Sequence, residues 1–184
     1  MNRMRGEADS MPSIQRWVAP DGTRLALREL RAEDAMALGT LFESMSTEDR
    51  RRRFHVGVGA LPQIWLEALA GVDQSRHVAL AAATVEAPEG PLIAEARWVI
   101  DEKEGEAEFA LAVAPAWRRR GVGFRCIQAL LRAASARGLA RLYGSVLVDN
   151  LPMLAFARRC GFRAVGGCGT PGLVVIEARM RSLD

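Results

Sequence analysis

The chain has 184 residues, 49% hydrophobic and 26% charged, enough for one sizeable core, and reads as a single domain over 14–184 behind a polar, patternless arm over 1–13. Its 25 Lys and Arg against 22 Asp and Glu leave a formal charge of +3 with both signs interspersed, which disfavours a dedicated nucleic-acid binder. Cys126, Cys160 and Cys168 form no C-x-x-C pair, and no apolar run follows the N-terminal arginines or approaches a bilayer span, so a reduced, cytoplasmic chain away from membranes is expected.

Alternation over 23–29 places Leu25 and Leu27 on one face and predicts a strand. A helix follows over 31–44, with Ala35, Leu38, Leu41 and Phe42 at helical spacing and Glu33 and Asp34 in its first turn, where the helix dipole favours acids. Ser46 and Asp49 form an S-x-x-D cap that opens a short helix, TEDRRRRF, and 62–70 repeats the helical pattern. Two β-runs, 76–85 and 91–100, are joined by the turn-rich EAPEGP, and DEKEGE leads into a third at 107–113, which together suggest an antiparallel meander.

The period then changes. A helix over 122–137 carries Cys126, Ile127, Leu130, Leu131 and Ala134 on one face and stops at Gly138. A strand over 141–148 and a helix over 151–160, opened by Pro152 and stopped by Gly161, precede a closing hairpin from 162–165 and 173–180. This order fits an α/β (α+β) mixed sheet flanked by helices better than an all-parallel fold.

The segment AEFALAVAPAWRRRGVGFRCIQALL, 107–131, runs strand, two-glycine loop, helix. Gly121 and Gly123 let the backbone approach an anion closely, while free N–H groups at the helix start and Arg118, Arg119 and Arg120 supply positive charge. A pyrophosphate would satisfy them all. RRRGVG, preceded by the V-x-P of Val113 and Pro115, resembles the R/Q-x-x-G-x-G/A signature of the GNAT acyl-CoA-dependent N-acetyltransferases. DNLPMLAFARRCGF, 149–162, resembles that family's second half-motif, so the likeness covers 23–180. More narrowly, STEDRRRRF, AEFA and VLVDNLPML resemble the GNAT domain of bacterial Pat-type protein-lysine acetyltransferases.

The resemblance implies a mostly antiparallel sheet with one central parallel pair, 107–113 and 141–148, splayed to admit acetyl-CoA as cosubstrate. Leu111 and Val113 would hold the pantetheine arm, with the Leu111 N–H facing the thioester oxygen. Arg118, Arg119, Arg120, Gly121, Val122 and Gly123 would take the pyrophosphate, while Asn150 bonds the pantetheine arm and Phe156 packs along it. Direct acetyl transfer to a primary amine follows, the acceptor being a protein lysine or a small molecule; a homodimer is left open. A non-catalytic acyl-CoA-binding module is the alternative, and a working base separates the two.

Only about 1 in 2,500 lysine amines is neutral at pH 7, so a base or a desolvating pocket is required. Glu108 shares the strand of the oxyanion donor, at the position resembling the catalytic glutamate of several protein-lysine acetyltransferases, and Glu106 on the same face is the alternative. The tyrosine of many family members, seven residues after Asn150, is replaced by Ala157, and the sole tyrosine is Tyr143 on the preceding strand. His55 and His77 lack partners at ligand spacing, so no metal is expected. Arg50, Arg51, Arg52 and Arg53 read either as a solvated helix face or as a receiver of acidic acceptors, and Cys126 and Cys160 as core.

Overall fold

In the computed structural model, which describes residues 14–57, 59–88, 90–101, 105–166 and 169–180, one sheet runs through the molecule. The expected N-terminal arm and Cys168 lie outside the described residues. The strands are β1 (Gln15–Val18), β2 (Arg24–Glu29), β3 (His77–Thr84), β4 (Ala94–Ile100), β5 (Glu106–Val113), β6 (Arg141–Leu147), β7 (Arg163–Gly166) and β8 (Leu173–Arg179). Their order is β1-β2-β3-β4-β5-β6-β8-β7, antiparallel throughout except for the parallel pair β5 and β6, which is the mixed, mostly antiparallel arrangement expected.

β1 was not anticipated. Its four residues, QRWV, alternate between half-buried and exposed, because it is an edge strand with pairing on one side only, so it carries little apolar periodicity.

Among the described residues five helices cover the sheet: α1 (Ala35–Glu43), α2 (Thr47–Phe54), α3 (Gln63–Ala70), α4 (Val122–Ala136) and α5 (Leu151–Arg159). The start expected for α1 is a separate 3-10 turn, Ala32–Asp34, held by Asp34, which accepts the Arg31 N–H at 2.8 Å and two bonds from Arg28 at 2.6 and 2.7 Å. Both faces of the sheet are buried, and β3 accordingly reads as a continuous apolar run. On one face the apolar stripe of α4, Cys126, Ile127, Leu130 and Ala134, packs on Leu80, Trp98 and Phe109. On the other, Leu38, Leu41 and Phe42 of α1 and Leu66 of α3 rest on Ala79, Ala81 and Ala112, whose small side chains let the helices lie close. No helix among the described residues is long and apolar enough to cross a membrane.

Candidate active site

β5 and β6 pair for three steps only, Glu106↔Arg141, Ala107↔Leu142 and Glu108↔Tyr143. At the next step the Phe109 ring lies over Gly144, so close that a Cβ there would stand 2.8 Å from Phe109 Cε1, and the strands part. β5 nevertheless stays on β4 to its end at Ala94↔Val113. Along that ladder the Asp101 N–H bonds Glu106 O at 3.0 Å and the Ala114 N–H bonds Ile93 O at 2.9 Å, which sets the hydrogen-bonding phase. Glu108, Ala110 and Ala112 therefore exchange bonds with β4, while Phe109, Leu111 and Val113 turn their N–H and C=O groups toward the departing β6. The bonds Val148 N–H to Gly172 O and Met180 N–H to Ala140 O, both 2.9 Å, similarly turn the backbone of Ser145 and Leu147, beyond the last paired residue Tyr143, into the gap.

The gap opens into a cleft of about 1030 Å³. Its outer wall is the β5–α4 loop. Gly121 has φ +81°, and a Cβ added there would meet nothing within 4 Å, so glycine is required for its left-handed backbone rather than for room. Gly123 is the reverse: a Cβ would stand 3.4 Å from Phe156 Cζ and 3.5 Å from methyl carbons of Leu111 and Val113, filling the cradle. The first intrahelical bond of α4 is Arg125 N–H to Gly121 O at 3.1 Å, and the N–H groups of Val122, Gly123 and Phe124 ahead of it have no backbone acceptor among the described residues. These free donors at the positive end of the helix dipole make an anion site.

Of the three arginines, Arg118 and Arg119 line the cleft. Arg118 is also braced, donating from Nε to Val113 O at 3.2 Å and pairing with Asp49 of α2 at 3.0 Å. Arg120 turns away, pairing with Asp21 and lying 5.1 Å over the Trp117 ring. The Val122 side chain is buried in the core, so only its N–H can serve a ligand. Asn150 caps α5, its Oδ1 accepting the Met153 N–H at 3.3 Å, and its amide NH2 is left for the cleft it lines.

Glu108 is exposed on the opposite side of the cleft and accepts from Ser145 Oγ at 3.3 Å. Beside it stands His55, the left-handed cap of α2 at φ +59°, whose ring faces the Ser145 carbonyl. Burial holds the His55 imidazole below its ordinary value, outweighing the upward pull of Glu108 and of that carbonyl.

Residues 67–162 match the family described as "Acetyltransferase (GNAT) family". The chain belongs to that family. Acetyltransferase Pat of Mycolicibacterium smegmatis is 34% identical over 143 residues, 76% of this chain but 40% of that protein, so the chain spans less than half of that relative's length. The GNAT domain of S. lividans PAT shares the fold with a TM-score of 0.82 at 24% identity, over 91% of this chain and 97% of that one. The structure of yncA from Salmonella typhimurium with its cofactor acetyl-CoA shares it with a TM-score of 0.65 at 14% identity, over 86% and 95% of the two chains.

Within this GNAT domain, the expected residues Leu111, Val113, Arg118, Arg119, Gly121, Gly123, Asn150, Phe156 and Glu108 all line one cleft. Glu106 does not, being tied to Arg141 Nη1 at 2.7 Å. Nor does Tyr143, whose OH donates to Asp101 at 2.9 Å; burial and that bond push the phenol up to about 12. Ala157 faces the core. The arginines of α2 are not the freely solvated face considered from sequence: Arg50 donates to Met45 O at 2.7 Å, Arg51 binds Glu48 and Asp149 at 2.8 Å each, and Arg53 is buried against Glu95 at 3.2 Å. Sequence reasoning weighed His55 only as a metal ligand, and it missed Arg97 and Asp49 as cleft residues. The S-x-x-D cap marks where α2 begins but carries no sign of what its far end faces.

Proposed function

We propose that this chain acetylates a primary amine by direct transfer from acetyl-CoA, that the acceptor is a protein lysine, and that it works in the cytoplasm, in keeping with the buried free thiols Cys126 and Cys160. The carrying observation is the parted strand pair: the Leu111 and Val113 N–H groups open into the same cleft as the free N-terminus of α4. That cradle is narrow enough for one Cβ at Gly123 to fill it, which suits a thin pantetheine arm running to a pyrophosphate. The lysine acceptor is supported by the Pat-type resemblance of STEDRRRRF, AEFA and VLVDNLPML.

Acetyl-CoA supplies the activated thioester, and this chain's residues supply the rest. Val113 and Leu111 orient the arm as an added strand, and the Leu111 N–H donates to the carbonyl oxygen as negative charge develops on it. Glu108 accepts a proton from the amine nitrogen as the nitrogen bonds the carbonyl carbon. The C–S bond then breaks with its electron pair on sulfur. A thiol of pKa about 8.5 leaves as thiolate without a dedicated acid, which accommodates Ala157 where the family often has tyrosine.

Two variants test the proposal. Gly123→Val should weaken acetyl-CoA binding about ten-fold or more by overfilling the cradle, read by calorimetry; unchanged affinity would remove the cradle assignment. Glu108→Gln should lower kcat by about 10²- to 10⁴-fold at neutral pH with acetyl-CoA affinity unchanged. A wild-type protein that binds acetyl-CoA but acetylates no amine is a binding module instead.

A further inference from the structure

We propose that His55 is a second proton acceptor of the active site, taking a proton from the incoming ammonium while Glu108 takes the other. The inference rests on the amine-acetylating function and adds a residue to it. Its starting point is proton arithmetic. An amine arrives as R–NH3⁺, and turning it into an amide strips two protons from nitrogen, whereas one carboxylate holds one. The departing thiolate takes a proton back, but it exists only after the C–S bond has broken.

The structure places a suitable group beside Glu108. α2 ends at His55, whose left-handed backbone, φ +59°, is closed by its N–H on Arg51 O at 2.8 Å, and whose side chain lines the cleft. Ser145 stands between the two residues. Its carbonyl, turned into the gap by the β6–β8 phase, faces the imidazole, and its hydroxyl donates to Glu108 Oε1 at 3.3 Å. A neutral imidazole carries hydrogen on one ring nitrogen and keeps a bare lone pair on the other, so it can accept a proton. The groups facing the ring are Glu108 from β5, the Ser145 carbonyl from β6 and Arg53 from α2; burial, reinforced by Arg53, outweighs Glu108 and the carbonyl and favours the neutral imidazole near pH 7. The ring is only half-buried, so a proton it accepts can pass on to water.

The steps balance. An ammonium N–H bond breaks and its proton goes to the bare nitrogen of His55. The amine lone pair forms the N–C bond at the thioester carbon while the carbonyl π pair moves onto the oxygen at the Leu111 N–H. Glu108 takes the second proton from nitrogen. The oxyanion re-forms the carbonyl, the C–S bond breaks with its pair on sulfur, the proton on Glu108 passes to the thiolate, and His55 releases its proton to solvent. Ammonium and acetyl thioester give amide, thiol and one free proton.

The test is the pH dependence of kcat/KM for the amine in His55→Asn, since asparagine tolerates the left-handed backbone of the α2 cap. The expected result is a loss of about 10²-fold at pH 7 that recovers as pH rises and free amine accumulates, with acetyl-CoA affinity unchanged. A profile superimposable on that of wild type, or a loss equal at every pH, overturns the proposal. A second arm does not touch α2: residual activity of Glu108→Gln should keep an acidic limb at or below the ordinary imidazole value of 6.5, and its absence overturns the proposal too. If Glu108→Gln falls as expected while His55→Asn matches wild type, the acetyltransferase function stands and this inference alone fails; if no amine is acetylated by wild type, both fall.

Discussion

Two carboxylates of the sheet each gather arginines, and their surroundings differ. Glu177 on β8 takes Arg141, Arg163 and Arg179 at 2.6, 2.7 and 3.1 Å, binding β6, β7 and β8 together at one end of the sheet. Arg163 and Arg179 are 65% and 69% exposed, so water can replace either partner. Glu95 on β4 instead holds Arg53 and Arg97 beneath the helices, with side chains 10% and 5% exposed. Arg53 Nε and Arg97 Nη2 are buried without a hydrogen-bond partner among the described residues, and both arginines line the cleft. The first cluster is a strap. The second is a charged wall that an apolar core of equal volume would match in stability, so packing alone does not account for it.

The sharpest way to break this contrast is to remove each carboxylate charge. Glu95→Gln strands two buried guanidinium groups and should destabilise the fold by about 3–5 kcal/mol in urea unfolding. Glu177→Gln should cost less than that, because two of its three arginine partners are exposed and such pairs are weakened by water and screened by salt. Equal losses would show that the two clusters are the same device.

Acid sharpens the comparison further. Burial raises the Glu177 carboxyl, but the bonds from Arg163, Arg179 and Arg141 outweigh it and bring it down to about 2 from an ordinary 4.5. A carboxyl lowered on folding stabilises the protein above its unfolded value, and that contribution is lost as pH falls through the folded value. The stability gap between wild type and Glu177→Gln should therefore be full above pH 4.5 and close as pH falls to about 2. A gap independent of pH would mean that the arginines do not act through its charge.

The smallest effect is expected at Tyr143, which belongs to the strap's side: it registers opposite Glu177, and Arg141 stacks on its ring at 4.7 Å. Tyr143→Phe should leave kcat unchanged. A large loss in steady-state acetylation would show that this tyrosine serves as the acid for the thiolate after all.

The elements and the cradle were legible because their signals are local. The helical stripe of α4, the glycines at 121 and 123 and the S-x-x-D cap at Ser46 each depend on residues a few positions apart, and one uninterrupted segment, 107–131, carries strand, loop and helix start in the order an anion needs. Glu108 and Leu111 lie on that same strand, and it was the family resemblance that singled them out.

Along the chain alone, residue types and short spacings determined the helices, most of the strands and which stretch of backbone leaves N–H groups free at a helix start, because φ/ψ preferences and apolar periodicity act between near neighbours. What crosses the sheet was decided only by the tertiary structure. Arg53 meets Glu95 across 42 residues, and Ser145 meets Glu108 across 37. Arg120 is carried off by Asp21 on the β1–β2 turn, although its two neighbours in sequence line the cleft. Even the direction of the Leu111 N–H depends on hydrogen bonds at Asp101 and Ala114 that set the phase of β5 on β4. Strand order and register bring these groups together, and no periodicity within a single element encodes them.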